Sequence, residues 1–128
     1  MSSALLLLTE PMTSPLAWHS VVLAKALLDQ DVLVKVFFYQ DAASIANCLN
    51  WRPSDEPNLA QEWLKLPVDR NVCVSAALLR GVTDLENAKR HDLVDDPAFQ
   101  GNLANGFSLV GLGELADLML QVDHVIHL

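Results

Sequence analysis

Short runs of apolar residues alternate along this chain with segments of helical periodicity, and this alternation restricts the possible folds most strongly. The runs at residues 4–9, 32–39 and 71–75 are apolar at most positions. Such runs are typical of strands that are covered on both faces. Two further short strands are expected at residues 107–110 and 122–127.

Helical segments fill the intervals between these strands. Residues 16–31 carry an apolar stripe, and Ser14 is a suitable N-cap ahead of Pro15 at the first helical position. Strands that alternate with helices pair in parallel through right-handed crossovers. The pattern therefore predicts a three-layer α/β fold, with an open, five-stranded, mainly parallel sheet and helices on both faces. The other helices are expected at residues 41–49, 59–66, 83–91 and 112–121, with a polar loop at 92–106.

Length and charge restrict the possible domain organisation and the possible binding partners. A chain of 128 residues is the size of one domain, so residues 1–128 are expected to form a single α/β domain. The 8 basic and 16 acidic residues leave a formal net charge of −8, which argues against direct binding of nucleic acid. The apolar content of 52% and the mean hydropathy of +0.26 indicate either a sheet covered on both faces or a surface that partner proteins partly bury.

Membrane insertion and secretion are not expected. No segment approaches the roughly 18 consecutive apolar residues of a membrane span, and the apolar run at residues 4–8 is short for a signal peptide. Two cysteines do not make a disulfide framework. We therefore expect a cytoplasmic protein whose thiols stay reduced.

One segment resembles a dinucleotide-binding fingerprint. GLGELA, residues 111–116, follows a predicted strand and opens a helix, as G-x-G-x-x-A does in such sites. The fingerprint also needs a further strand with an acidic residue about 20 positions later, and only 12 residues follow Ala116. The favoured interpretation is that Gly111 and Gly113 make a tight turn and let the helix pack closely on the sheet, so no cofactor is expected.

The histidines do not predict a metal centre. His124 and His127 lie three positions apart on a predicted strand, so their side chains should point to opposite faces. The spacings typical of zinc sites, of serine hydrolases and of phosphate-binding loops are not found in the sequence. We expect neither a metal site nor a hydrolase.

The two cysteines differ in context. Cys48 lies in the apolar segment IANCL, which favours a buried structural residue. Cys73 lies near the carboxyl end of the third predicted strand, where parallel sheets gather their functional sites. Backbone N–H groups of residues 75–77 and the charge of Arg80 are candidates for stabilising a thiolate there. The residues alone leave Cys73 open as either an ordinary core thiol or a reactive group.

Four segments together resemble the DsrE/TusD type of sulfur-relay subunit, within the DsrE/DsrF-like family. They occur in order and cover nearly the whole chain. The resemblance implies a small α/β sheet with helices on both sides and a sulfurtransferase that holds sulfur as a cysteine persulfide without a cofactor. The family cysteine corresponds to Cys73. The segments are VFFYQDAASIAN, SDEPNLAQEWLKL, NVCVSAALLRGV and GFSLVGLGELADL.

The same resemblance implies partners. Members of this type work with two related small subunits in a hetero-hexamer-like complex, and they exchange sulfur with donor and acceptor proteins. The expected process is 2-thiolation of the wobble uridine of tRNA. Cytoplasmic sulfur oxidation is an alternative, and so is a non-catalytic scaffold subunit in which Cys73 is merely buried. The chain departs from the family pattern in its first loop, residues 10–20, and at Leu79, where an arginine is common before Arg80.

Overall fold

The computed structural model describes residues 1–128 and contains one sheet of five strands in the order β4-β3-β2-β1-β5. Every neighbouring pair of strands is parallel. The α/β class and the five strands predicted from the sequence are confirmed, and the sheet is wholly parallel. The strands are β1 Ser3–Leu8, β2 Leu33–Phe38, β3 Arg70–Cys73, β4 Phe107–Val110 and β5 His124–His127.

The helices fill the connections between strands. Ser14 caps the first helix as predicted, because its hydroxyl accepts the N–H of Leu16 at 3.2 Å and Pro15 occupies the first turn. The segment predicted as a helix at 41–49 is a 3-10 helix that ends earlier. The elements are α1 Pro15–Asp29, the 3-10 helix Gln40–Ala46, α2 Leu59–Leu64, α3 Val74–Leu79, α4 Leu85–Arg90 and α5 Leu112–Gln121.

The strand order determines how the helices are distributed over the two faces. The chain passes from β1 to β2, β3 and β4 in one direction across the sheet and then returns to β5 at the opposite edge. With right-handed crossovers, the connections before β4 lie on one face and α5 lies on the other. The ring contact between Phe38 and Trp63 of α2, with centroids 5.5 Å apart, marks the first face. A single helix crosses the second face.

The core lies on both sides of the central strands. Side chains alternate between the faces along a strand, so Phe38 belongs to the α2 face and Phe37 to the α5 face. Both phenylalanines are fully buried, as are Leu5 and Leu6 on the neighbouring strand β1. This double burial explains why β1 and β2 are apolar at almost every position.

The third strand is shorter than predicted, and a helix follows it directly. The strand expected at 71–75 ends at Cys73, and α3 begins at Val74. The β-branched Val74 favours a strand in the local pattern. Tertiary contacts override that preference, because Ala76 and Ala77 are buried where α3 packs against the 3-10 helix. No helix of the structure is long and apolar enough to cross a membrane.

Candidate active site

Cys73 is the last residue of β3 and the N-cap of α3. Its predicted position at the carboxyl end of the third strand is confirmed. Its partner in the register is Val110, the last residue of β4, on a strand about 4.8 Å away. The residue is 1% exposed, so the thiol is covered by the surrounding chain.

The carboxyl ends of β3 and β4 form a topological switch point. The connection that leaves Cys73 enters α3 on one face, whereas the connection that leaves Val110 enters α5 on the other. Ligands and reacting groups of open parallel sheets gather at such points, because the diverging loops leave a crevice between them. Of the two cysteines, only Cys73 lies at this edge of the sheet.

The two helices that begin at the switch point have no side-chain cap. The N-cap of α3 is Cys73 itself and that of α5 is Gly111, and neither side chain accepts a hydrogen bond from the helix. By contrast, Ser14, Asn58 and Asp84 cap α1, α2 and α4. Uncapped backbone N–H groups at a helix start favour anionic groups. Cys73 therefore lies beside helix N–H groups that no side chain caps, and its own Sγ accepts no hydrogen bond from them.

Arg80 is held away from Cys73. Its guanidinium donates to Asp41 Oδ1 from Nη2 at 2.9 Å and from Nε at 3.1 Å, and to the carbonyl of Ala76 from Nη1 at 3.0 Å. It follows the last residue of α3, whose six residues span roughly 9 Å. The charge suggested for thiolate stabilisation is therefore countered by Asp41, and the arginine ties α3 to the 3-10 helix. Ser75 and Leu79 are exposed.

The prediction that Cys48 is a buried structural residue is wrong. The 3-10 helix ends at Ala46 and the chain turns, which leaves Cys48 exposed. Its backbone N–H donates to the carbonyl of Asn102 at 2.7 Å, next to an antiparallel bridge between Asn47 and Leu103. An apolar local segment predicted burial, but this contact with a distant loop holds the turn at the surface.

The interpretation of Gly111 and Gly113 as close-packing residues is also wrong. A Cβ atom built on either glycine would meet nothing within 4 Å. Gly111 has φ −81° and ψ 170°, an extended conformation that any residue adopts. Neither the turn nor packing against the sheet requires a glycine at these two positions.

The structure shows no metal-ligating cluster at the histidines. His124 and His127 lie on β5, and His127 Nε2 is 3.1 Å from the hydroxyl of Thr9. No group of three or more His, Cys, Asp and Glu side chains converges as metal ligands would. The largest cavity, of about 470 Å³, lies between the loop after β1 and the segment around Arg52, and Cys73 does not line it.

Comparisons with known proteins agree with this fold. The model of the DsrE/DsrF-like family matches residues 1–128. The sulfurtransferase TusD homolog of Vibrio vulnificus is 42% identical over 108 residues, covering 80% of this chain and 79% of that protein. The sulfurtransferase TusD of Proteus mirabilis is 41% identical over 115 residues, covering 86% and 85%. The crystal structure of the ychN protein from E. coli superposes with a TM-score of 0.69 at 21% identity, covering 100% and 99%, which concerns the fold alone.

Proposed function

The chain belongs to the DsrE/DsrF-like family, and from that premise we propose that it is a sulfurtransferase that carries sulfane sulfur as a persulfide on Cys73. Relatives named as sulfurtransferases match about four-fifths of its length. The observation that carries the assignment to Cys73 is its place at the switch point, where β3 ends and an uncapped helix begins. Cysteine at a helix start is a recurring setting for reactive thiolates.

The proposed transfer is a pair of thiol exchange steps. The Cys73 thiolate attacks the outer sulfur of a persulfide R–S–SH on a donor protein. The S–S bond of the donor breaks, the donor leaves as the thiolate R–S⁻, and Cys73 becomes Cys73–S–SH. An acceptor thiolate then attacks the same outer sulfur and Cys73 leaves as a thiolate. No net oxidation occurs, and the rates depend on the thiolate fraction, the leaving group and access.

The proposed setting is the sulfur relay for 2-thiolation of the tRNA wobble uridine, with cytoplasmic sulfur oxidation as the alternative. In either setting the protein works with related small subunits and with donor and acceptor proteins. Its surface supports such partners, because several large apolar side chains are exposed. The net charge of −8 fits contacts with proteins better than direct contact with tRNA. After the terminal Met1, the most exposed of these side chains are Leu120, Leu79, Trp51 and Leu49.

The first prediction concerns the thiol that takes up sulfur. We expect Cys48→Ser to gain one sulfur atom per chain when it is incubated with a persulfide donor, and Cys73→Ser to gain none. Intact-mass spectrometry measures the gain, and circular dichroism checks that both variants stay folded. One sulfur atom bound to Cys73→Ser under native conditions, with none on Cys48→Ser, would assign the carrier role to Cys48 instead.

The burial of Cys73 favours one second candidate, a scaffold subunit that completes a complex without carrying sulfur. A residue that is 1% exposed is not directly accessible to a cysteine of another protein. Failure of Cys48→Ser to take up sulfur, both alone and with its partner subunits, would support the scaffold. Uptake in either condition excludes it.

A further inference from the structure

The covered thiol raises a question that follows from the proposed function. If Cys73 carries sulfur, its Sγ must come into contact with sulfur atoms of two other proteins in turn, yet the residue is 1% exposed. Reagents reach buried groups through local or global opening, and local openings involve the least stable elements. A part of the chain close to Cys73 must therefore move to expose the thiol.

Register and alternation show which face of the sheet the Cys73 side chain lies on. Asn71 pairs with Phe37 of β2, which pairs with Leu7 of β1, so these three side chains lie on one face. Cys73 is two residues beyond Asn71 and lies on that same face. This is the face that α5 crosses, and α5 begins two residues after Val110, the register partner of Cys73. The first turn of α5 thus lies at the Cys73 end of the sheet.

The contacts that hold α5 are few. Of its ten residues only Leu118 is buried and Leu115 is half-buried, and the other eight are exposed. By comparison, α1 buries Ala17, Ser20, Val21 and Ala24. Because burial of apolar surface supplies most of the stability of a packed helix, α5 is less firmly attached than α1.

The start of α5 is also intrinsically weak. Its N-cap, Gly111, has no side chain to accept a helix N–H, and Gly113 occupies the first turn. Glycine inside a helix lowers its stability relative to alanine. The space around both residues is open, so packing within the chain does not require either glycine.

We propose that α5 is a movable cover of Cys73, and that the glycine-containing first turn lets it withdraw so that another protein's cysteine reaches the thiol. This inference rests on the proposed carrier role of Cys73. The cover keeps the persulfide out of solvent between transfers. Its opening leaves the rest of the sheet and the α1 layer intact.

Alkylation of Cys73 tests the cover. All variants carry Cys48→Ser so that Cys73 is the only thiol, and iodoacetamide labelling under native conditions is followed by intact mass. Leu118→Ala removes the one buried side chain of α5. The cavity that it leaves weakens the packing of α5, so labelling is expected to be roughly a hundredfold faster. Val21→Ala, the matched control, loosens α1 and is expected to change the rate by less than about threefold, because α1 stays folded in the open state.

A second variant strengthens the first turn. The added methyl group of Gly113→Ala meets open space, and this change is expected to slow labelling about fivefold through better helix propensity. It keeps the test valid if Leu118→Ala does not fold. Urea unfolding of each variant gives the global stability for comparison.

Two results would contradict the proposal that α5 covers Cys73. Equal acceleration of labelling by Leu118→Ala and Val21→Ala, at equal losses of global stability, would show that Cys73 is exposed only by global unfolding. An unchanged labelling rate in Gly113→Ala would also contradict the proposal. Sulfur uptake from a persulfide donor is measured separately, so absence of uptake refutes the carrier role while the labelling rates still decide on the cover.

Discussion

Arg70 stabilises the amino end of β3, the strand that ends at Cys73. Its replacement is therefore expected to lower the stability of the folded protein. Its guanidinium donates to the carbonyl of Gly106 from Nε and to that of Val68 from Nη1, both at 2.9 Å. Two further backbone carbonyls lie 3.3 and 3.4 Å from Nη1. The Cζ atom lies 6.0 Å from the ring centroid of Phe107. One side chain thus joins β3, the segment after α2 and the turn before β4.

The expected loss of folding free energy follows from these contacts. In Arg70→Met the hydrocarbon stem remains and all donors are lost. Two short bonds from a charged donor contribute about 1 kcal/mol each in this half-buried setting, and the longer bonds with the cation–π contact add about 1 kcal/mol. The expected loss is therefore about 3 kcal/mol. For 128 residues, an unfolding entropy of about 2.1 cal/mol/K per residue converts this loss into a fall in Tm of about 11 °C.

Urea and thermal unfolding measure this loss. Arg90→Met is the matched control, because Arg90 pairs only with Glu86 and is 60% exposed. An exposed pair of this kind contributes about 0.3–0.5 kcal/mol, so the control should stay close to the parent protein. If Arg70→Met also stays within about 1 kcal/mol of the parent, the carbonyl contacts do not hold the strand as argued.

Three further substitutions test other parts of the site and fold. Because Asp41 counters the charge of Arg80, we expect Arg80→Met to lower the stability by about 1 kcal/mol. Sulfur uptake per folded chain should change less than about twofold. A loss of uptake in Arg80→Met at normal stability would instead show that Arg80 stabilises the Cys73 thiolate. Gly101 has φ +95° and a Cβ there would lie 2.8 Å from the Thr83 carbonyl oxygen, whereas Gly81 at φ +73° has open space. Gly101→Ala should therefore cost about 3 kcal/mol and Gly81→Ala about 1 kcal/mol in urea unfolding, and equal losses would show that the close approach to Thr83 relaxes freely.

Much of the fold could be predicted because it depends on local pattern. The strand at 107–110 and the helix at 112–121 match the structure residue for residue. Ser14 and Pro15 marked the start of α1, since capping chemistry acts within one turn. The position of Cys73 at a strand end was equally visible in the sequence, and this prediction places it at the correct edge of the sheet.

The errors arose where distant contacts decide local structure. The helix α3 was missed because Val72, Cys73 and Val74 resemble a continuing strand, while packing against the 3-10 helix begins a helix at Val74. Cys48 was predicted to be buried from its apolar neighbours, but its turn is held at the surface by a hydrogen bond to Asn102. Neither contact leaves a signal within a short window of sequence.

By itself, the sequence determined the alternation of strands and helices, and hence a parallel sheet with Cys73 at the carboxyl end of a strand. Periodicity and propensity are local properties, so the chain displays them directly. The tertiary structure decided the strand order, which places Cys73 beside Val110 at the point where the connections diverge. It also decided that α5 returns across the face of Cys73 and that the thiol is covered, because burial depends on contacts between residues far apart in the chain.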